Sequence, residues 1–282
     1  MILEPVPPDG LTRHRLRGLL ALLLSALLAG GCVSPAIAPP SVSGRAADLP
    51  GPDAQASERR PGDSEDLFSP DQPLVAGYSL EGRPVHCHVL GTGPHTVMLL
   101  ATIHGNEAAG TPLLERLLEE VRADSGLLFG RRLVVVPVVN PDGLAARKRR
   151  NARGVDLNRN FGSDNRADGG DRGSALSEPE AEVLSELITE FEPMVVVSIH
   201  GWIGLIDWDG PAQSLAAELG ALCQLPAQRL GSRPGSLGSY LGVDRQVPII
   251  TFELPGSARR DSDDELWERY GPALLATLSW MP

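Results

Sequence analysis

Two short apolar runs, each closing on a histidine, constrain this chain more than any other feature. Residues 96–103 lead into His104-Gly105-Asn106-Glu107, and residues 194–199 lead into His200. Both runs are uncharged, rich in β-branched residues and bounded by Gly or Pro, which is the pattern of buried strands. In open α/β sheets the ligand crevice lies at the carboxyl ends of the strands. Each run therefore delivers a metal-type side chain to that edge. His104 and Glu107 stand three residues apart, so one tight turn ahead of a helix aims both at a single point. His200 arrives from a separate strand, which ties the cluster to a rigid scaffold. Two His and one Glu form a three-ligand set that leaves zinc a fourth position for water. The pattern points to a hydrolase.

Further strands are expected over residues 76–80, 84–90, 133–139 and 247–252. Helices are expected over 108–122, from Ser177 through Glu190, over 212–222 and over 264–278. The first carries Leu113, Leu114, Leu117, Leu118 and Val121 on one face. In the second, Ser177 can cap, Pro179 suits a first turn and Glu180 completes a capping box. Strands alternating with helices imply an α/β fold with a mostly parallel sheet covered on both faces. No internal repeat is present.

The amino-terminal part has a different character. Arg13, Arg15 and Arg17 precede an apolar segment from Leu19 to Ala29, and then Gly30-Gly31-Cys32. A basic start, a short apolar core and small residues form a secretory signal over residues 1–31. Cys32 resembles the lipidated cysteine of bacterial lipoproteins, although Ala29 stands where those proteins carry a larger aliphatic residue. Acyl chains there would anchor the protein to a membrane surface. Residues 32–73 hold eight prolines and no apolar periodicity, so they read as a flexible tether. The catalytic domain is expected over 74–282, exported to the cell envelope. Cys87 and Cys223 are open to two readings, a disulfide or a pair of buried thiols.

The chain carries 25 basic and 36 acidic residues, a formal charge of −11. That balance argues against nucleic acid as a partner. Against it, Arg147, Lys148, Arg149, Arg150, Arg153 and Arg159 crowd into thirteen residues, which suggests a small anionic substrate. Nothing in the pattern sets an oligomeric state.

Residues 140–161 add Asn140-Pro141-Asp142-Gly143 and Asp156-Leu157-Asn158-Arg159-Asn160-Phe161. With His104-Gly105-Asn106-Glu107, His200 and Phe252-Glu253, this set resembles the zinc carboxypeptidase family of the carboxypeptidase A type, over roughly residues 74–280. Ser177-Glu178-Pro179-Glu180, the segment Pro234 to Tyr240 and the segment Val247 to Pro255 resemble its murein peptide amidase branch. The resemblance implies a three-layer fold with a mixed, mostly parallel sheet. It also implies one zinc ion per chain, held by His104, Glu107 and His200, and an amide bond between γ-D-glutamate and meso-diaminopimelate as the substrate.

By the same resemblance, Glu253 is the general base and acid, and Arg149 stabilises the oxyanion, with Arg147 and Arg150 as close rivals for that role. Asn158 and Arg159 hold the substrate's terminal carboxylate, and Tyr240 closes over the bound peptide. Asp207 and Asp209 could meet a diaminopimelate ammonium or lie in a solvated loop. His86 and His88 are expected on an exposed strand face. Rival functions are a carboxypeptidase on protein C-termini, a deacylase like the succinylglutamate desuccinylases, and a non-enzymatic wall-binding lipoprotein.

Overall fold

A computed structural model describes residues 72–282. The expected signal segment, the tether up to residue 71 and Cys32 lie outside the described residues. Six strands form one sheet in the order β1-β2-β4-β3-β5-β6. They are β1 (Leu74–Tyr78), β2 (Pro84–Leu90), β3 (His95–Ala101), β4 (Arg131–Val136), β5 (Val195–Asp209) and β6 (Ile249–Pro255). β4, β3, β5 and β6 begin parallel to one another, while β1 and β2 form an antiparallel flank. The sheet is mixed and mostly parallel, as expected.

The strand sequences divide residue by residue between two cores. Val97, Leu99 and Ala101 of β3 face one cluster, and Met98 and Leu100 face the other. β4 does the same with Leu133 and Val135 against Val134 and Val136. This is why the central strands are apolar throughout instead of alternating. The first cluster is covered by α1 (Gly110–Ala123), α4 (Gln213–Cys223) and α5 (Asp263–Ser279). The second is covered by α3 (Pro179–Phe191) and the turn Gly238–Val243. Cys87 and Cys223 are buried free thiols, and burial pushes Cys87 up to about 12.

Three expectations need correction. The strand carrying His200 runs on to Asp209 instead of stopping at residue 199. Glu253 pairs first with His200 and then with Leu205, and Thr251 with Ser198 and then Asp207. The second half of β5 therefore doubles back along the other edge of β6. This places Asp207 and Asp209 in the sheet, buried, and not in a solvated loop. The capping box expected at Ser177 is absent, because Glu178 is the N-cap and Ser177 Oγ donates to Glu178 Oε1. Glu180, fully buried, accepts instead from Asn151 Nδ2 at 3.2 Å and from Leu80 N–H at 3.4 Å. A capping box does form on α5, between Ser262 and Glu265.

Candidate active site

β3 ends before its histidine. Thr102 adopts a left-handed φ of 53°, and its carbonyl accepts from Asn140 N–H at 3.0 Å. The chain then turns tightly, with Glu107 N–H donating to His104 O at 2.9 Å. Gly105 is required in this turn, since a Cβ there would lie 1.9 Å from the Gly143 backbone. That backbone belongs to a short helix, α2 (Pro141–Ala146), capped by Asn140 Oδ1 accepting from Gly143 N–H.

The turn and β5 bring three donors to one point. His104 Nδ1 lies 3.0 Å from Glu107 Oε2, and His200 Nδ1 lies 3.1 Å from the same oxygen. The two Nδ1 atoms are 3.2 Å apart. All three residues are buried, and each offers a ligand atom within 4.8 Å of the others. Two imidazole nitrogens and a carboxylate in a closed cluster fit a divalent metal of the zinc type. His86 and His88 stand apart from this cluster; His88 meets Arg122 instead.

The charges around the cluster are strongly coupled. Burial alone would raise the Glu107 carboxyl, but hydrogen bonds with His104 and His200 hold it below the usual carboxylate range. Burial lowers His200. His104 is raised, because Asp156 and Glu107 outweigh its burial. Asp156, which contacts His104 Nε2 at 3.0 Å, is likewise held low against the effect of burial. No role was expected for Asp156, although it stands two residues before Asn158 in the same motif.

A cleft of about 370 Å³ opens beside the cluster. Of the three candidate arginines only Arg149 lines it, donating to Glu107 Oε1 at 2.8 Å and to Asp156 Oδ2 at 3.2 Å. Arg147 is exposed at the end of α2, and Arg150 pairs with Asp171 at 2.6 Å. Asn158 and Arg159 also line the cleft. Asn158 Oδ1 accepts from Leu237 N–H at 2.9 Å, leaving its Nδ2 hydrogens for a ligand. The only hydrogen bond from the Arg159 side chain among the described residues goes to the Asn158 carbonyl, so its outer donors have no acidic partner.

Glu253 lies within β6, paired with His200, rather than after the strand. Its Oε2 is buried without a hydrogen-bond partner. Burial, and then the charge of Glu107, push its carboxyl up to about 7. Tyr240 does not line the cleft. It is buried in the second core cluster, its hydroxyl 2.9 Å from Ser185 Oγ and its ring beside Phe161. Tyr240 is thus not brought to the cleft with the other expected site residues in this structure.

The chain matches the zinc carboxypeptidase family over residues 72–213, and it belongs to that family. It is similar to murein peptide amidase A of Escherichia coli strain K12, with 34% identity over 206 residues, covering 66% of this chain and 80% of the relative. The Vibrio campbellii murein peptide amidase A is 32% identical over 205 residues, covering 66% and 78%. Among solved structures, murein-tripeptide amidase MpaA from Escherichia coli O157 aligns with a TM-score of 0.62 and 31% identity, over 79% of this chain and 97% of that one. Bovine thrombin-activatable fibrinolysis inhibitor aligns with a TM-score of 0.62 at 17% identity, over 73% and 88%, a likeness of fold alone. The protein is a hydrolase of the zinc carboxypeptidase fold.

Proposed function

We propose that the protein hydrolyses the amide bond between γ-D-glutamate and meso-diaminopimelate in murein peptides, with Glu253 as the general base and acid. The observation that carries the reading is the grouping in one cleft of a three-donor metal cluster, an unpartnered buried carboxylate and the guanidinium groups of Arg149 and Arg159. Similarity to murein peptide amidases supports the choice of substrate.

His104, Glu107 and His200 would hold the zinc, which when bound polarises a carbonyl and acidifies a water molecule. Glu253, poised at about 7, is suited to take a proton from water and return it to the leaving amine. Arg149 supplies positive charge beside the cluster, where negative charge develops on the scissile carbonyl oxygen. Asn158 Nδ2 and the Arg159 guanidinium together offer parallel donors to the α-carboxylate of the released residue. The secretory pattern of residues 1–31 supports an envelope address, which suits a wall substrate.

The test is a comparison of kcat/KM on L-Ala-γ-D-Glu-meso-diaminopimelate with that on α-linked peptides ending in Lys or Phe. The proposal expects the γ-linked tripeptide to be favoured at least ~10²-fold, a discrimination that specific polar contacts supply. Preference for α-linked peptides would replace it with a general metallocarboxypeptidase.

A further inference from the structure

The motif Ser177-Glu178-Pro179-Glu180 is not used by the hydrolytic chemistry, yet both of its carboxylates are buried. They converge on one side chain. Asn151 Nδ2 donates to Glu178 Oε2 at 2.7 Å and to Glu180 Oε2 at 3.2 Å. Asn151 Oδ1 accepts from Arg153 N–H at 3.1 Å and from Val155 N–H at 3.0 Å. Every donor and acceptor of this buried amide is therefore engaged.

The tie falls beside the cleft residues in the chain. Asn151 to Val155 is a tight loop, closed by Asn151 N–H donating to Val155 O and Gly154 N–H to Asn151 O, both at 3.0 Å. Arg149 stands two residues before this loop and Asp156 one residue after it, and their side chains meet across it. The Arg149 carbonyl rests on the metal turn, accepting from Gly105 N–H at 3.3 Å and from Asn140 Nδ2 at 3.4 Å. Its side chain is 43% exposed, so packing alone does not hold the guanidinium. Glu178 grips the same segment again, its N–H donating to Asn160 Oδ1 at 3.2 Å, next to Arg159. The head of α3 thus holds both ends of the stretch that lines the cleft with Arg149, Asn158 and Arg159. The exposed Arg153, whose Nε donates to Glu178 Oε2 at 3.1 Å, is the weaker partner because water screens it.

We propose that Asn151 is a positioning residue for Arg149: tied to Glu178 and Glu180 at the head of α3, it fixes where the guanidinium stands beside the metal cluster. Buried hydrogen bonds to carboxylates are among the stronger ones, which makes the tie stiff. The assignment rests on the proposed hydrolase for the oxyanion role of Arg149, but not on turnover for its test.

Hydrogen exchange at arginine Nε, read by ¹⁵N NMR on the full chain, tests it directly. Arg149 Nε donates to Asp156, and Arg131 Nε, which donates to Leu278 O at 2.9 Å at the start of β4, is the internal reference. Asn151→Ser keeps an oxygen to accept within the loop and cuts both bonds to α3. It is expected to speed exchange at Arg149 at least ~10-fold and to leave Arg131 within ~2-fold. kcat should fall at least ~10-fold with KM within ~3-fold, because Arg149 meets charge that develops only after binding. Asn151→Asp sets a third carboxylate against two and should be worse in both readings. Adding Glu178→Gln to it restores the count of two carboxylates and a donor across the contact, with the polarity exchanged. That double variant should return both readings to within ~3-fold of the wild type.

Arg149 exchange unchanged in Asn151→Ser overturns the proposal. Equal acceleration at Arg149 and Arg131 does so too, because it marks general loosening, and so does a loss confined to KM. A folded Asn151→Asp that Glu178→Gln does not improve also overturns it; if Asn151→Asp does not fold, Asn151→Ser alone decides. Peptide turnover by the wild type reads the hydrolase separately. Arg149 loosened in Asn151→Ser, with no peptide cut by the wild type, rejects the hydrolase and keeps the tie. Turnover with exchange unchanged does the reverse.

Discussion

Asp156 Oδ1 lies 3.0 Å from His104 Nε2, while Nδ1 of the same ring faces Glu107 and His200. With a metal bound, the carboxylate would fix the tautomer: Nε2–H would donate to Asp156, and the Nδ1 lone pair would face the metal. Asp156→Ala is expected to weaken zinc binding by about 10- to 100-fold, measured by competition with a chromophoric chelator. Unchanged affinity would remove Asp156 from the support of the site.

Glu253→Gln keeps the shape of the buried side chain and removes its basicity. The variant should still bind one zinc per chain by metal analysis and lose at least ~10²-fold in kcat, the usual contribution of a positioned base. Near-normal turnover would take Glu253 out of the mechanism.

Asp209 carries a stability cost that depends on pH. Its carboxyl is raised from an ordinary 3.8 to about 6 by burial and by Asp207. The folded protein binds this proton more tightly than the unfolded chain, so the stability it contributes is complete below about 4 and is lost as pH rises through 6. Asp209→Asn is expected to raise Tm at pH 8 by at least about 2 °C, and by much less at pH 4.5, in thermal melts. An equal change at both pH values would show that the carboxylate bears no such cost.

Cys32 follows a secretory pattern and lies outside the described residues. If it is lipidated, Cys32→Ser should shift the protein from the membrane fraction to the soluble fraction. Fractionation with unchanged partitioning would dismiss the anchor.

The central sheet was legible because strands covered on both faces are apolar at every position, as in Val97 to Ala101 and Leu133 to Val136. The leucines of α1 were legible because they recur on one helical face. Strand ends were not. Thr102 leaves the strand conformation because its carbonyl is taken by Asn140, a partner distant in sequence. The metal cluster was readable from His104, Glu107 and His200, since chemistry restricts which residues can serve.

The floor of the cleft was harder. Ile206 and Trp208 pack on the first core while Asp207 and Asp209 face the other way, a period-two pattern visible in the sequence. Acidic side chains at those positions nonetheless read as surface, because their burial comes from partners distant in sequence, namely β6, Leu230 and the turn Gly238–Val243. Glu180 gave the opposite error. Its spacing from Ser177 suggested a cap, but Asn151 and Leu80 claim its carboxylate.

The most direct test of the central claim is mass spectrometry of L-Ala-γ-D-Glu-meso-diaminopimelate incubated with the full chain in ¹⁸O-labelled water, before and after metal removal. Zinc-dependent release of unlabelled diaminopimelate, with one ¹⁸O on the glutamate γ-carboxylate, is the predicted result. No release, or release indifferent to chelation, would contradict the account.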